Sequence, residues 1–544
     1  FAMSNLFAVS NPFAVSNPFA VSNPFAFSNP FAVSNPFAVS NPFAVSNPFA
    51  VSNPDAYSSA QLQSLVGFSA QAGTANEQVT INTWNNAGDY YIRVSGRNGA
   101  FNSQSPFLLE VTRLGGACGA FAPASLPAPG TAATVGNYKS LILHDVGRME
   151  GSAQDRADLL TRLQTLAGRS EVQGVLVNLA QDARINTLRS QAEANAGCPY
   201  ATNLWAYGVR EIIQRYWALN PDLAYVVLVG NDGIIPFFRY PDSAPVSPEM
   251  DFEPPVLDSS ISEANLRLNY LLSQDAYGSQ VELSLQNRLL PIPQLAVGRL
   301  VESAAEASSV IDAYLSTANG VVATPTSALV TSYGFLEDGS RAVLQELQAG
   351  LPSNSTVNVL IDPFDRAPED ALSWTADQLR NLLLGQRHDL IFLAGHFNPS
   401  RLLAADYRST LSAAEVAAAT VTFANAIVYS SGCHSGYNIV NDHAIAGVTD
   451  APPDWAQAFA RKGALLIAGT GYQYGDADFQ EYSERLYLAF TRQLRVGTGP
   501  VAVGQALVAA KQDYLADTGV EVDGIFEKTI LVSTLFGLPM LRVD

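Results

Sequence analysis

Over residues 138–544, short apolar runs alternate with longer stretches in which apolar residues recur at helical spacing. The runs are not interrupted by polar residues, which is typical of strands covered on both faces. This alternation predicts an α/β protein in which helices cover parallel-rich sheets. The predicted strands are 140–144, 174–179, 224–230, 295–301, 327–333, 388–394, 426–430 and 463–469, and the predicted helices are 154–166, 205–217, 304–316, 341–351, 375–384, 412–419 and 455–461.

A break in this pattern near residues 317–325 divides the region in two. Because the residues on the two sides of this break are too many for one small sheet, we expect two side-by-side α/β subdomains, 138–320 and 321–544. The last helices have an amphipathic pattern, and Pro500 suits the first turn of one of them.

The first 54 residues are nine copies of the hexapeptide FAVSNP with small variations, and no charged residue precedes Asp55. Each copy predicts one short strand followed by an Asn-Pro turn. Such a unit cannot bury its Phe alone, so repeats of this kind are stabilised by stacking on neighbours. We expect residues 1–54 to self-associate in a fibre or surface array. A disordered low-complexity spacer is the alternative.

Residues 55–114 show another pattern, an alternation of apolar and polar positions broken by Asn-Ala-Gly and Asn-Gly turns. That pattern indicates a small β-sandwich. Residues 115–137 are rich in Gly, Ala and Pro and are predicted to form a linker.

Composition excludes some classes of partner. The net charge is −19 and only 15% of residues are charged, so the chain lacks the basic surface that nucleic-acid binding needs. No apolar run of eighteen residues occurs, so we expect no transmembrane helix. The sequence begins at Phe1 without a basic, apolar signal region, and any export signal is expected to lie upstream or to have been removed. The acidic composition fits an extracellular or cell-surface protein.

The three cysteines suggest one disulfide and one free thiol. Cys118 and Cys198 both lie in loop-like sequence, and Cys433 does not. We therefore predict a Cys118–Cys198 disulfide in an oxidising compartment, with two unpaired buried thiols as the alternative.

The candidate chemistry lies at the ends of two predicted strands. The run 390–394 is followed by His396, and the run 426–429 is followed by Cys433. In open α/β sheets, ligands bind outside the carboxyl ends of the strands. If these two strands are neighbours, an imidazole and a thiol meet at that edge, as nucleophilic catalysis by cysteine requires.

Other side chains compete for roles near this edge. His434 adjoins Cys433, but consecutive residues at a strand end tend to point apart. A metal site that joins His434 to Asp442 and His443 lacks any established ligand spacing. Glu337 and Asp338 follow a predicted strand, so one of them is a candidate to orient His396, although a solvated loop carboxylate is an equal alternative.

Parts of the chain resemble two known families. The segments that carry the first resemblance are 225–242, 295–315, LAGHF at 393–397, SSGCHSGYN at 430–438, 454–476 and LFGLPMLR at 535–542. Through these segments, residues 138–544 resemble the gingipain-type cysteine peptidases of clan CD, which implies a caspase-like fold with one supportive and one catalytic subdomain. Within 55–114, residues 88–94 and 98–102 look like the C-terminal half of the bacterial pre-peptidase C-terminal domain.

The resemblance to the peptidases implies a catalytic dyad of His396 and Cys433. The family usually has Gly after the histidine, where a backbone N–H helps to bind the oxyanion, and here the residue is Phe397. The N–H of Cys433 is the second expected donor, with Gly432 permitting the tight turn. Asp476 and Asp478 are candidates for a pocket that binds a basic substrate side chain, with surface or Ca²⁺-binding carboxylates as the alternative.

The sequence thus predicts a secreted cysteine endopeptidase, displayed on or assembled into an extracellular fibre through its repeats. We expect it to need no organic cofactor, and only the family resemblance suggests Ca²⁺. The alternative is a filament or surface-assembly protein that carries an inactive peptidase fold, because a fold does not by itself imply an activity.

Overall fold

We describe the protein from a computed structural model. It describes residues 2–7, 17–19, 36–37, 40–41, 65–69, 90–95, 102, 107–111, 118–119 and 121–544, with gaps at 286–287, 367–369, 446, 448–451, 477–478, 497–498 and 519–523. The chain divides into two compact units: residues 1–114 with 282–290, and residues 115–281 with 291–544.

In the first unit, most of the described residues lie in short strands. Strand β1 (Ala2–Phe7) pairs antiparallel with both β5 (Leu65–Ser69) and β6 (Tyr90–Ser95). Strand β2 (Asn17–Phe19) lies between β3 (Pro36–Phe37) and β4 (Ser40–Asn41). Most of the repeats and of the 55–114 segment lie outside the described residues, so fibre assembly and the β-sandwich stay predictions.

The second unit is built on a ten-stranded sheet, so the predicted α/β fold class with a parallel-rich sheet is confirmed. In chain order its strands are β7 (Ser140–His144), β8 (Gly174–Asn178), β9 (Tyr225–Val229), β14 (Ala296–Leu300), β16 (Ser327–Ser332), β17 (Thr356–Ile361), β18 (Leu390–Ala394), β21 (Ile427–Ser431), β22 (Leu465–Gly469) and β24 (Ser533–Phe536). Across the sheet they run in the order β17-β16-β18-β21-β22-β24-β14-β9-β7-β8.

The sheet consists of two parallel blocks that run in opposite directions. Strands β8, β7, β9 and β14 are parallel, and so are β17, β16, β18, β21 and β22. Strand β24 joins the blocks, because it pairs parallel with β14 and antiparallel with β22. The carboxyl ends of the two blocks therefore lie at opposite edges of the sheet.

The remaining strands form small sheets. Strand β10 (Phe238–Pro241) pairs with β11 (Tyr270–Ser273), and β12 (Ser279–Leu285) pairs with β13 (Arg288–Pro293). Strand β19 (Arg401–Leu403) pairs with β20 (Thr410–Ser412). A fourth small sheet contains β15 (Val321–Val322), β25 (Arg542–Val543) and β23 (Val501–Ala502).

Helices connect these strands, and several begin at a side-chain cap. Ser152, Ser303, Thr375, Ser412 and Asp454 each cap a helix whose third residue returns a hydrogen bond, which satisfies two of the unpaired N–H groups at the helix start. The helices are α1 (Ala153–Ala167), α2 (Ala183–Ala194), α3 (Pro199–Leu219), α4 (Ile261–Leu266), α5 (Ala304–Leu315), α6 (Glu337–Gly350), α7 (Ala376–Leu383), α8 (Ala413–Ala418), α9 (Trp455–Arg461), α10 (Tyr482–Gln493), α11 (Val503–Thr518) and α12 (Gly524–Val532).

The burial of the strands explains why their sequences are apolar. Every residue of β18, β21 and β22 is buried, whereas the edge strands β17 and β8 are largely part-exposed. Because consecutive residues of a strand point to opposite faces, both faces of these central strands are covered, as the unbroken apolar runs predicted. In the described part of the chain, no helix is long and apolar enough to cross a membrane.

The structure contains a Cys118–Cys198 disulfide, and Cys433 is the free cysteine. Cys198 is buried directly before α3, so the bridge attaches the 115–137 segment to the start of that helix. A bridge of this kind fits an oxidising compartment.

Candidate active site

Strands β18 and β21 place His396 and Cys433 at the same edge of the sheet. The two strands are parallel hydrogen-bonded neighbours, and Ala394 at the end of β18 pairs with Ser431 at the end of β21. His396 and Cys433 each follow their strand by two residues, so both leave the sheet at the same level. The neighbour relation that the sequence argument required is therefore present.

The Cys433 thiol is part-exposed and faces the segment that follows β22. Its Sγ donates a hydrogen bond to the backbone oxygen of Gln473 at 3.5 Å. Burial raises the pKa of the thiol above its ordinary value, and the nearby Glu249 carboxylate acts in the same direction. In the resting protein the group is consequently a neutral thiol at neutral pH.

Aromatic rings surround His396. The centroid of its imidazole lies 5.0 Å from that of Tyr333, 5.6 Å from that of Tyr407 and 5.7 Å from that of Phe335. Burial by these neighbours lowers the pKa of His396, although one side of the residue stays open to solvent. A neutral imidazole at the same edge of the sheet as a neutral thiol can, once it reaches the sulfur, take the thiol proton as a general base during attack.

This protonation state predicts how Cys433 reacts with iodoacetamide, which needs the thiolate. We expect slow labelling at pH 7 that accelerates only above the ordinary thiol pKa of about 8.5, because the pKa of Cys433 is raised. Mass spectrometry of the labelled protein between pH 5 and 10 measures the profile, with His396→Ala as the control. Fast labelling below pH 7 that is lost in His396→Ala would instead show a preformed thiolate–imidazolium pair.

Phe397 occupies the space beside Gly432. A Cβ atom added to Gly432 would lie 2.2 Å from Cδ2 of Phe397, whose ring also contacts Trp455 at a centroid distance of 5.6 Å. The position of this ring therefore requires a glycine at 432. The residue of the turn that has the left-handed conformation is His434, with φ of 53°. Participation of the Phe397 and Cys433 N–H groups in oxyanion binding stays a prediction.

Gly432→Ala is expected to destabilise the protein by about 1–3 kcal/mol, because overpacking of this size forces the ring or the turn to move. Urea unfolding measures the effect. Adding Phe397→Ala should restore much of the stability that Gly432→Ala loses. A double variant no more stable than Gly432→Ala alone would contradict the steric explanation.

The predicted carboxylate partners of His396 have other contacts. Glu337 forms an ion pair with Arg341 at 2.6 Å and accepts a hydrogen bond from the N–H of Phe364. Asp338 lies near Glu484 and contributes to raising the pKa of that buried residue. An orienting role for Glu337 or Asp338 beside His396 stays a prediction.

Glu484 belongs to an acidic cluster that the sequence did not indicate. It is buried, at 2% exposure, and one carboxylate oxygen accepts a hydrogen bond from the N–H of Asp476 at 3.0 Å. Burial, assisted by Asp338 and Asp476, raises the pKa of Glu484 to about 8. Asp338 and Asp476 thus both lie near Glu484, whereas Asp478 lies outside the described residues.

His434 lies in a buried network of charged side chains. Its Nε2 bonds to Glu249 Oε2 at 2.9 Å, and Lys528 Nζ lies 2.8 Å from Glu249 Oε1 and 2.7 Å from Asp242 Oδ2. The Glu249 charge and hydrogen bond favour the protonated imidazole, but burial outweighs them and lowers the pKa of His434. The sequence did not connect these residues, because Glu249 precedes His434 by 185 positions.

The structure does not bring metal ligands together in the part of the chain that it describes. No group of three or more His, Cys, Asp or Glu side chains there is arranged to hold a metal ion. Asp442 and His443 lie in a short 3₁₀ turn, Asn441–His443, whereas His434 bonds to Glu249.

The sequence matches no family model and no curated protein. Among solved structures, the complex of Porphyromonas gingivalis RgpB pro- and mature domains is 15% identical, with a TM-score of 0.49 over 75% of this chain and 80% of that one. The Arg-specific cysteine proteinase gingipain R is 15% identical, with a TM-score of 0.48 over 76% and 80%. A Saccharomyces cerevisiae separase–securin complex is 12% identical, with a TM-score of 0.30 over 46% of this chain and 14% of that one.

Proposed function

We propose that this protein is a cysteine peptidase in which Cys433 is the nucleophile and His396 the general base and acid. The observation that supports the proposal is their common position, two residues beyond the paired ends of neighbouring parallel strands. The carboxyl edge of such a sheet is where α/β proteins bind their ligands.

The reaction follows from the neutral state of the two groups. His396 takes the proton of the thiol as Sγ bonds to the carbonyl carbon, and backbone N–H groups, that of Cys433 among them, donate to the oxyanion. His396 then gives the proton to the leaving amine as the C–N bond breaks, which leaves a thioester. A water molecule deprotonated by His396 attacks the thioester carbonyl. The C–S bond then breaks, the carboxylic acid product leaves, and His396 returns the proton to the sulfur, which regenerates the thiol.

The acidic cluster of Asp338, Asp476 and Glu484 suggests the substrate preference. It adjoins the segment that contains Gln473, whose backbone oxygen contacts the Cys433 thiol. A cationic side chain that entered this region would favour ionisation of the carboxyl groups and pair with them. The substrate expected on these grounds is a protein or peptide with Lys or Arg before the scissile bond.

Profiling with a peptide library tests the proposal. The full chain is incubated with peptides of mixed sequence, and the new termini are identified by mass spectrometry, in parallel with a peptidyl acyloxymethyl ketone that alkylates active-site cysteines. Cleavage after basic residues and modification of Cys433 are expected. The absence of both cleavage and modification in folded protein would overturn the proposal.

The proposed peptidase acts outside the cell and is attached to an assembly through its repeats. The disulfide supports an oxidising location. The described pieces of the repeats pair as strands, both with one another and with β5 and β6. Such pairing also favours a second candidate function, a surface-assembly protein. Sedimentation of the full chain and of a chain lacking residues 1–54 decides whether the repeats assemble, and identical monomeric behaviour would contradict this role.

A further inference from the structure

We propose that Glu249 and His434 are positioning residues that hold the backbone of Cys433 in the orientation required for attack. The inference rests on the proposed peptidase function and concerns how the nucleophile is held. Neither side chain is assigned contact with the scissile bond, so both would act through the loop that carries Cys433.

The backbone at His434 is held in an unfavourable conformation. Its φ of 53° lies in the left-handed region, which residues with a side chain seldom occupy. Such a conformation persists only where the surrounding contacts determine it strongly. Because Cys433 is bonded directly to His434, a change of φ there would redirect the Cα atom of Cys433, and with it the thiol.

Three contacts fix His434. Its ring stacks on Phe252 with centroids 3.5 Å apart and planes 14° apart, and its N–H donates to the backbone oxygen of Gly471 at 2.9 Å. Its Nε2 bonds to Glu249. The stacking on Phe252, the backbone hydrogen bond to Gly471 and the hydrogen bond to Glu249 therefore all oppose rotation of His434.

The same Glu249 carboxylate also holds the second loop of the site. Its Oε1 accepts a hydrogen bond from the N–H of Tyr472 at 2.8 Å. The next residue is Gln473, whose backbone oxygen accepts from the Cys433 thiol. One carboxylate thus fixes the residue that follows the nucleophile and the segment that the thiol faces.

Glu249 is itself fixed from the other side. Its side chain and that of Lys528 are fully buried, and Lys528 binds both Glu249 and Asp242. The N–H of Glu249 donates to Asp242 at 2.9 Å. Because a buried carboxylate that lost its partners would be strongly disfavoured, Glu249 cannot turn away from the two loops.

The test compares Glu249→Gln with Asp275→Asn. Asp275 is a matched control, because its carboxylate is also buried and also paired with a lysine. Both of its oxygens bind Lys511 Nζ at 2.7 Å, and Lys511 does not belong to the loop that carries Cys433. We measure kcat and KM on a cleaved peptide below the unfolding temperature of each variant. We also measure inhibition by the matching peptide aldehyde, whose hemithioacetal oxygen uses the same N–H donors as the oxyanion.

Glu249→Gln is expected to lower kcat by about 10- to 100-fold, as misplacement of a reacting group does. KM should change little, and the aldehyde should bind more weakly in proportion. Asp275→Asn should retain the wild-type kcat, even if its free energy of unfolding is lower. Equal kcat values for the two variants, or a loss confined to KM, would overturn the positioning role while leaving the peptidase function intact.

A second pair keeps the test decisive if Glu249→Gln fails to fold. Asn tolerates the left-handed conformation better than Ala does, so His434→Asn should retain more kcat than His434→Ala. Equal kcat values in this pair would also overturn the role. If wild-type protein neither cleaves peptides nor binds the aldehyde, the proposed function itself fails, which is a separate result.

Discussion

Replacing Cys433 with Ala is expected to abolish peptide cleavage while the fold is retained. The side chain is part-exposed and makes one weak hydrogen bond, to the backbone oxygen of Gln473, so its loss removes little packing. It is also the atom that forms the covalent intermediate in the proposed reaction. We expect kcat/KM to fall by roughly 10⁴-fold or more, as loss of a nucleophile does in hydrolases of this kind.

The double variant with His396→Ala makes this prediction more specific. Residues that act as one catalytic unit are not additive, so Cys433→Ala/His396→Ala should be hardly less active than Cys433→Ala alone. Circular dichroism and unfolding curves check that each variant is folded. Cleavage by Cys433→Ala at the wild-type rate would show that the activity does not depend on this thiol.

Lys528→Met is expected to cause the largest loss of stability among single substitutions in the network. The Lys528 side chain is fully buried between the carboxylates of Asp242 and Glu249. Removing the ammonium group leaves two buried carboxylates facing each other, and breaking a buried pair in this way costs about 3–5 kcal/mol. The free energy of unfolding in urea measures the loss.

The pH dependence of Lys528→Met follows from the same charges. Without the cation, the pKa values of Asp242 and Glu249 in the folded variant rise, so protonation relieves the repulsion and the deficit relative to wild type should shrink as pH falls. Arg341→Met is the control, because its ion pair with Glu337 lies at the surface and such pairs contribute about 0–1 kcal/mol. A loss in Lys528→Met no larger than that in Arg341→Met would contradict the prediction.

Much of the fold could be predicted from local pattern. The predicted strand 140–144 and helix 455–461 coincide with β7 and α9, because a buried strand and a capped helix leave strong local signals. Strand β17 was not predicted, since it is a part-exposed edge strand without an apolar run. Strand β24 was also missed, because it is only four residues long and directly follows α12.

The site could be predicted only where its residues follow strands. His396 and Cys433 lie at the ends of apolar runs, and the sequence shows this directly. Glu249, Lys528 and Glu484 could not be assigned, because their partners come from distant parts of the chain and charged residues in loops and helices usually face water. Only the packed structure shows that these three are buried.

The reversal of direction at β24 affects how the fold can be completed. This strand, Ser533–Phe536, pairs with both β14 and β22. Until β24 pairs, each of these two strands has an exposed edge on the side of the other block. Lys528, whose ammonium group binds the Asp242 and Glu249 carboxylates, lies shortly before β24 in the sequence. The joining of the two blocks and the neutralisation of these carboxylates therefore depend on the same short segment of the chain.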